Sequence, residues 1–156
     1  MWPMSTHLFS QAEKVYNQLD IIERDLNYFL NDKSVTFILT DEVQLDQEYV
    51  RSIVKHFRYL EVYCMEGKFA LERLIATKDI QEEVLEKVLR GVYFKCVNQF
   101  FSPKDDLWYE DSRASYQNKM SIEFQREPGN HILEIAKLIE PTFQDLREEL
   151  DYLEAV

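Results

Sequence analysis

Apolar residues recur at alternating intervals of three and four along most of this chain, a period that suits helices packed through one face each. Leu8, Ala12, Val15, Leu19, Ile22, Leu26 and Phe29 form the first stripe. It predicts a helix from Ser5 or Thr6 to about Leu30, stopped by Asn31-Asp32-Lys33-Ser34. Val50, Ile53, Phe57, Leu60, Cys64, Gly67, Leu71 and Leu74 form the second, with Asp46 as N-cap and Glu48 in the first turn. Gly67 lies on the stripe itself. Glycine inside a helix costs about 1 kcal/mol against alanine, so it is expected where another element must come close.

The third helix is predicted from Asp79, as N-cap, to about Phe101. Its apolar arc holds Val84, Leu85, Val88, Leu89, Val92, Tyr93, Cys96, Val97, Phe100 and Phe101, with Gly91 among them. So wide an arc must touch more than one neighbour, which puts this helix at the centre of the core. Glu83 with Lys87, and Glu86 with Arg90, add i,i+4 pairs. The last stripe is Ile132, Ile135, Ile139, Phe143, Leu146, Leu150 and Leu153. It crosses Pro141 in phase, which predicts one kinked helix rather than two. Glu148, Glu149, Asp151 and Glu154 crowd its end, where the helix dipole disfavours negative charge. That end should fray unless something binds it.

Two stretches follow another period. Val35 to Leu39 is short, β-branched and aromatic, and reads as a strand or a buried connection. Ser112–Tyr116 and Met120–Phe124 read as strands around a turn at Gln117-Asn118-Lys119. In the second of these, Met120, Ile122 and Phe124 should face inward and Ser121 and Glu123 outward. The predicted fold class is mainly α with minor β. It is a four-helix bundle-like single helical domain over residues 1–156. A small antiparallel β-hairpin is inserted at about 107–126, between the third and fourth helices.

Charge narrows the partners. Twenty-nine acidic residues against 18 basic ones give a net −11, which repels phosphate backbones and anionic lipid. Neither nucleic acid nor membrane is expected as a partner. The densest basic run, Lys55-His56-Phe57-Arg58, reads as a solvated helix face. Cys64 and Cys96 are too few for a disulfide framework and read as reduced core residues. No apolar run reaches the roughly 18 residues of a membrane span. The start, Met1-Trp2-Pro3-Met4-Ser5, lacks the features of a secretory signal, so a cytoplasmic location is expected.

Sequence signatures of catalysis are missing. His7, His56 and His131 are scattered, and His131-Ile132-Leu133-Glu134 is only a reversed, unpaired form of a di-iron motif. No metal, cofactor or catalytic residue is assigned. Three isolated glycines make no phosphate loop. One segment is chemically dense, Lys104-Asp105-Asp106-Leu107-Trp108-Tyr109-Glu110-Asp111-Ser112-Arg113. Aromatic residues with polar tips suit binding surfaces, so the candidate ligand or partner site is Trp108, Tyr109, Asp111, Arg113 and Tyr116. The competing reading is architectural, with Trp108 as a core plug and Arg113 bridged to Asp111 or Glu110.

The runs Phe100-Phe101-Ser102-Pro103-Lys104 and Trp108-Tyr109-Glu110-Asp111-Ser112-Arg113 resemble the YpuI-like family of uncharacterised proteins from Bacillus-type bacteria. The ending Leu146-Arg147-Glu148-Glu149-Leu150-Asp151-Tyr152-Leu153-Glu154 is similar to the same family. The resemblance spans nearly the whole chain. It implies a cytoplasmic protein of a Gram-positive bacterium and supplies no catalytic assignment. It also implies members that continue past the position of Ala155-Val156. The function expected is a non-enzymatic protein-interaction or regulatory module. Its partner would be a protein, with a homodimer through helix faces as one form. The alternative is a small-molecule binder or enzyme with its pocket between the 107–126 hairpin and the helices.

Overall fold

The computed structural model describes residues 6–40, 45–77, 81–111 and 120–153. The chain is mainly α with a minor β element. Helix α1 (Thr6–Asp32) is followed by a short α2 (Val35–Thr40) and the long α3 (Gln47–Ala76). Helix α4 (Glu82–Val92) runs through a π-helical turn (Tyr93–Val97) into α5 (Asn98–Phe101). Strands β1 (Trp108–Glu110) and β2 (Ile122–Phe124) come next, then α6 (Asn130–Leu150) and a 3-10 turn (Asp151–Leu153).

The stripes of α1, α3 and α6 are buried as their spacing requires. Val15, Leu19, Ile22, Leu26, Phe57, Leu60, Ile139 and Phe143 belong to one contiguous apolar core. Asp46 caps α3 by accepting the Tyr49 N–H at 3.1 Å. That bond, more than the neighbouring Arg126, holds its carboxyl below the usual range. At Gly67 a Cβ would lie 3.0 Å from Val92 Cγ2 and 3.2 Å from Leu19 Cδ1. The glycine thus makes room for side chains of α4 and α1 together. Helix α6 continues unbroken through Pro141.

Four expectations are corrected. Residues 35–40 are a helix, because Ser34 Oγ accepts the Phe37 N–H at 3.0 Å and Ile38 is buried in the core. Tertiary burial and a cap here override a short segment's own preference. The most extensive interface is α1 with α3, so α4 flanks the centre rather than forming it. Val84, from its wide arc, stands exposed. The strand opposite β2 is 108–110, not 112–116, in the register Trp108↔Phe124, Tyr109↔Glu123, Glu110↔Ile122. Residues 112–119 lie outside the described set. Met120 is exposed and Ser121 buried, the reverse of the predicted alternation at these two positions, because a buried carboxylate reaches Ser121, whereas Ile122 and Phe124 pack on the core and Glu123 is exposed, as predicted. In the basic run on α3, Lys55 and Arg58 are exposed while Phe57 is core, as the stripe requires, and Arg58 donates to Leu30 O at 3.4 Å at the end of α1.

The third helix starts at Glu82 with Gln81 as N-cap, and Asp79 lies outside the described residues. The acidic end of α6 does not stand loose. Gln11 donates to Glu149 O at 2.6 Å, and Arg90 donates to Leu153 O at 3.3 Å. Those cationic and amide donors offset the dipole at the last carbonyls.

Candidate functional site

Trp108 enters the core from the first residue of β1, only 2 % exposed. Its indole N–H donates to Phe100 O at 2.5 Å. Ring centroids of His56, Phe57, Phe100 and Phe124 lie 5.3–6.0 Å away. Phe100 in turn stacks on Phe143 of α6 at 4.2 Å. The hairpin is therefore anchored through an aromatic cluster that joins α3, α5 and α6. His56 shares this cluster. Its Nε2 faces Gln99 O at 2.7 Å, and a bond there places the proton of a neutral ring on Nε2. Burial pushes its pKa below the ordinary histidine value. Tyr49 adds a second tie, its hydroxyl donating to Leu107 O at 2.5 Å.

A polar seam runs beside the aromatic one. Glu140, on α6, is fully buried. Its carboxylate accepts Ser121 N–H at 2.7 Å, Ile122 N–H at 3.2 Å, Ser121 Oγ at 3.3 Å and Gln144 Nε2 at 2.6 Å. Two backbone donors at the entrance to β2, with no strand among the described residues to pair them, are thus satisfied from a helix. Two turns along α6, Arg147 grips Glu110 in a fork, with Nη1–Oε1 2.8 Å and Nη2–Oε2 2.7 Å. The guanidinium sits 3.7 Å above the Phe101 ring, and Ser121 Oγ donates to Glu110 at 3.1 Å. Sequence reasoning passed over Glu140 and Ser121. The usable signal was Glu140, Gln144 and Arg147 spaced along one flank of α6 beside the apolar stripe.

Of the other site residues predicted from sequence, Tyr109 and Asp111 are described. Tyr109 points outward and donates to its cross-strand partner Glu123 at 3.0 Å; that bond raises its pKa. Asp111 donates its N–H to Ser121 O at 2.6 Å, extending the ladder. Arg113 and Tyr116 lie outside the described residues. A groove of about 570 Å³ does open between the end of β2 and the start of α3. Asp46, Glu48, Tyr49, Asp105, Asp106 and Arg126 line it; Trp108, Tyr109 and Asp111 do not. Arg126 pairs with Asp46 across it.

The opposite flank of α6 presents apolar groups to water. Helices α1 and α6 run antiparallel, since Gln11 meets Glu149 at one end and Phe37, after α1, meets His131 at the other. Lys14, Ile21 and Tyr28 repeat every seven residues on α1, and Lys14 faces Glu149 of α6 at 3.6 Å. Leu138 on α6 is seven residues from His131 and fourteen from Tyr152, whose hydroxyl donates to Gln11 at 3.0 Å. Helical phase turns Ile21 and Tyr28 on α1 and Leu138 on α6 toward the outer α1/α6 edge, and Phe37 of α2 lies against His131 at its end. Tyr28 is 74 % exposed and Leu138 56 %.

No helix among the described residues is long and apolar enough to cross a membrane. Among the same residues no group of three or more histidine, cysteine or acidic side chains is placed to hold a metal. A family profile described as "Protein of unknown function (DUF3907)" matches residues 12–156. The uncharacterised protein YpuI of Bacillus subtilis (strain 168) is 32 % identical over 146 residues, covering 94 % of this chain and 81 % of the relative. No solved structure matches the chain.

Proposed function

We propose that this chain, which belongs to the DUF3907 family of proteins of unknown function, is a non-enzymatic interaction module. Its docking surface is the outer α1/α6 edge, and its occupant is a second copy of the chain. The observation that carries this reading is the convergence of Ile21, Tyr28, Phe37 and Leu138 on one edge while exposed. Exposed large apolar groups grouped on one face mark interaction sites, whereas scattered ones do not. A patch that carries the same residues on both copies is self-complementary across a two-fold axis, so Tyr28 and Leu138 of one copy can cover those of the next.

Size-exclusion chromatography with light scattering across a range of concentrations tests this. The mass should rise from 18.8 kDa toward twice that value as concentration increases. Tyr28→Glu and Leu138→Glu should hold it at the monomer. A monomer at every concentration overturns the reading.

A second reading rests on the groove beside the hairpin. With Asp46, Glu48, Asp105 and Asp106 around one Arg126, it suits a small cationic ligand. Saturable binding of a polyamine, lost in Asp105→Asn with Asp106→Asn, would favour it over the first.

A further inference from the structure

The cleft between α3 and α4 is a different concavity. It holds about 260 Å³. Its floor is built from small and apolar groups, Gly67 and Ala70 on α3 and Val88, Gly91 and Val92 on α4. The two glycines differ. Gly67 is filled from outside by Val92 and Leu19, whereas a Cβ at Gly91 would meet nothing within 4 Å. A mid-helix glycine is unfavourable, and no packing within the described fold requires this one. What it leaves is open space in the cleft. The π-helical turn begins two residues later, with Asn98 N–H donating to Tyr93 O, five residues back. Such turns are often found at functional sites.

The rim has its own chemistry. Lys87 and Lys95 flank the apolar floor in a chain of net charge −11. Neither ammonium is in an ion pair among the described residues; Lys95 lies 5.6 Å from the Tyr63 ring. Glu66 is the one carboxylate in the lining. An apolar floor with a net positive rim is complementary to an amphipathic monoanion, with its hydrocarbon end over Gly91 and its head between the lysines. We propose that this cleft binds a small aliphatic carboxylate. The site is independent of the α1/α6 edge.

Octanoate is the probe, with 1-octanol and octylammonium as neutral and cationic counterparts. The chain has three glycines, so their amide NMR signals provide the readout, with Gly129 at the head of α6 as internal control. Octanoate should shift Gly67 and Gly91 saturably and leave Gly129 in place. A charged hydrogen bond corresponds to about tenfold in affinity, so 1-octanol should bind about tenfold more weakly. Lys87→Gln with Lys95→Gln should cost octanoate a similar factor, and Glu66→Gln should tighten it. Gly91→Leu should fill the cleft and abolish binding while remaining folded, because its side chain enters open space. Equal affinity for octanoate and 1-octanol, an equal shift at Gly129, unchanged binding by the double lysine variant, or no saturable shift would each overturn the proposal.

Discussion

Helix α6 has two flanks that use their side chains in opposite ways. Toward the hairpin it buries a carboxylate and lays a guanidinium on a ring, each tied to named partners. Toward α1 its outer edge leaves Leu138 in water, as Tyr28 of α1 also is. The first arrangement ties structure together, since an unpaired Glu140 charge would be costly so deep in the fold. The second gives the fold little, since a half-exposed leucine gains only part of its burial energy. The densest polar and aromatic contacts and the exposed apolar edge therefore lie apart: Leu107, Trp108 and Glu110 serve as anchors, while an edge of ordinary residues stays exposed.

The sharpest way to break this contrast is to cut the anchors. Trp108→Ala should destabilise the fold by about 4 kcal/mol in urea unfolding, through loss of a large buried ring and its hydrogen bond. Glu140→Ala should cost about 3 kcal/mol, because the Ser121 and Ile122 amides lose their acceptor inside the protein. A cost below about 1 kcal/mol for either would show that the hairpin flank is not architectural. On the other flank, Tyr28→Ser and Leu138→Ser should change monomer stability by no more than about 0.5 kcal/mol.

A smaller effect sharpens the role of the aromatic cluster. The unfolded chain takes up a proton at His56 near pH 6.5, while burial makes the folded chain refuse it until lower pH. The unfolded state then binds more protons in that window, so stability should fall as pH drops below about 6.5 and be flat with respect to this group above it. His56→Gln, which keeps a donor for Gln99 O, should remove that part of the slope. An unchanged slope in the variant would place the titration elsewhere.

The helices were legible because burial and period coincide. Every stripe position from Ala12 to Phe29 is buried, and so is every one from Ile132 to Leu153. The Asp46 cap was legible for the same local reason. Residues 35–40 were not, since six residues carry too little period and the outcome rests on a tertiary contact by Ile38. The hairpin register was missed because alternation alone cannot say which residues a distant helix will bury. Glu140, far along the chain, turned Ser121 inward. Among the candidate site residues, the indole of Trp108 invited either a binding or a core role, and the sequence could not choose between them. The α1/α6 edge was illegible, because it exists only once two helices far apart in sequence lie side by side.

Hydroxyl-radical footprinting of the intact protein at low and high concentration addresses the edge most directly. Protection should grow with concentration at Tyr28, Ile21 and Leu138 and stay constant at Phe69, an exposed residue of α3. Equal reactivity of Tyr28 and Leu138 at all concentrations, or protection appearing at Phe69 instead, would contradict the assignment.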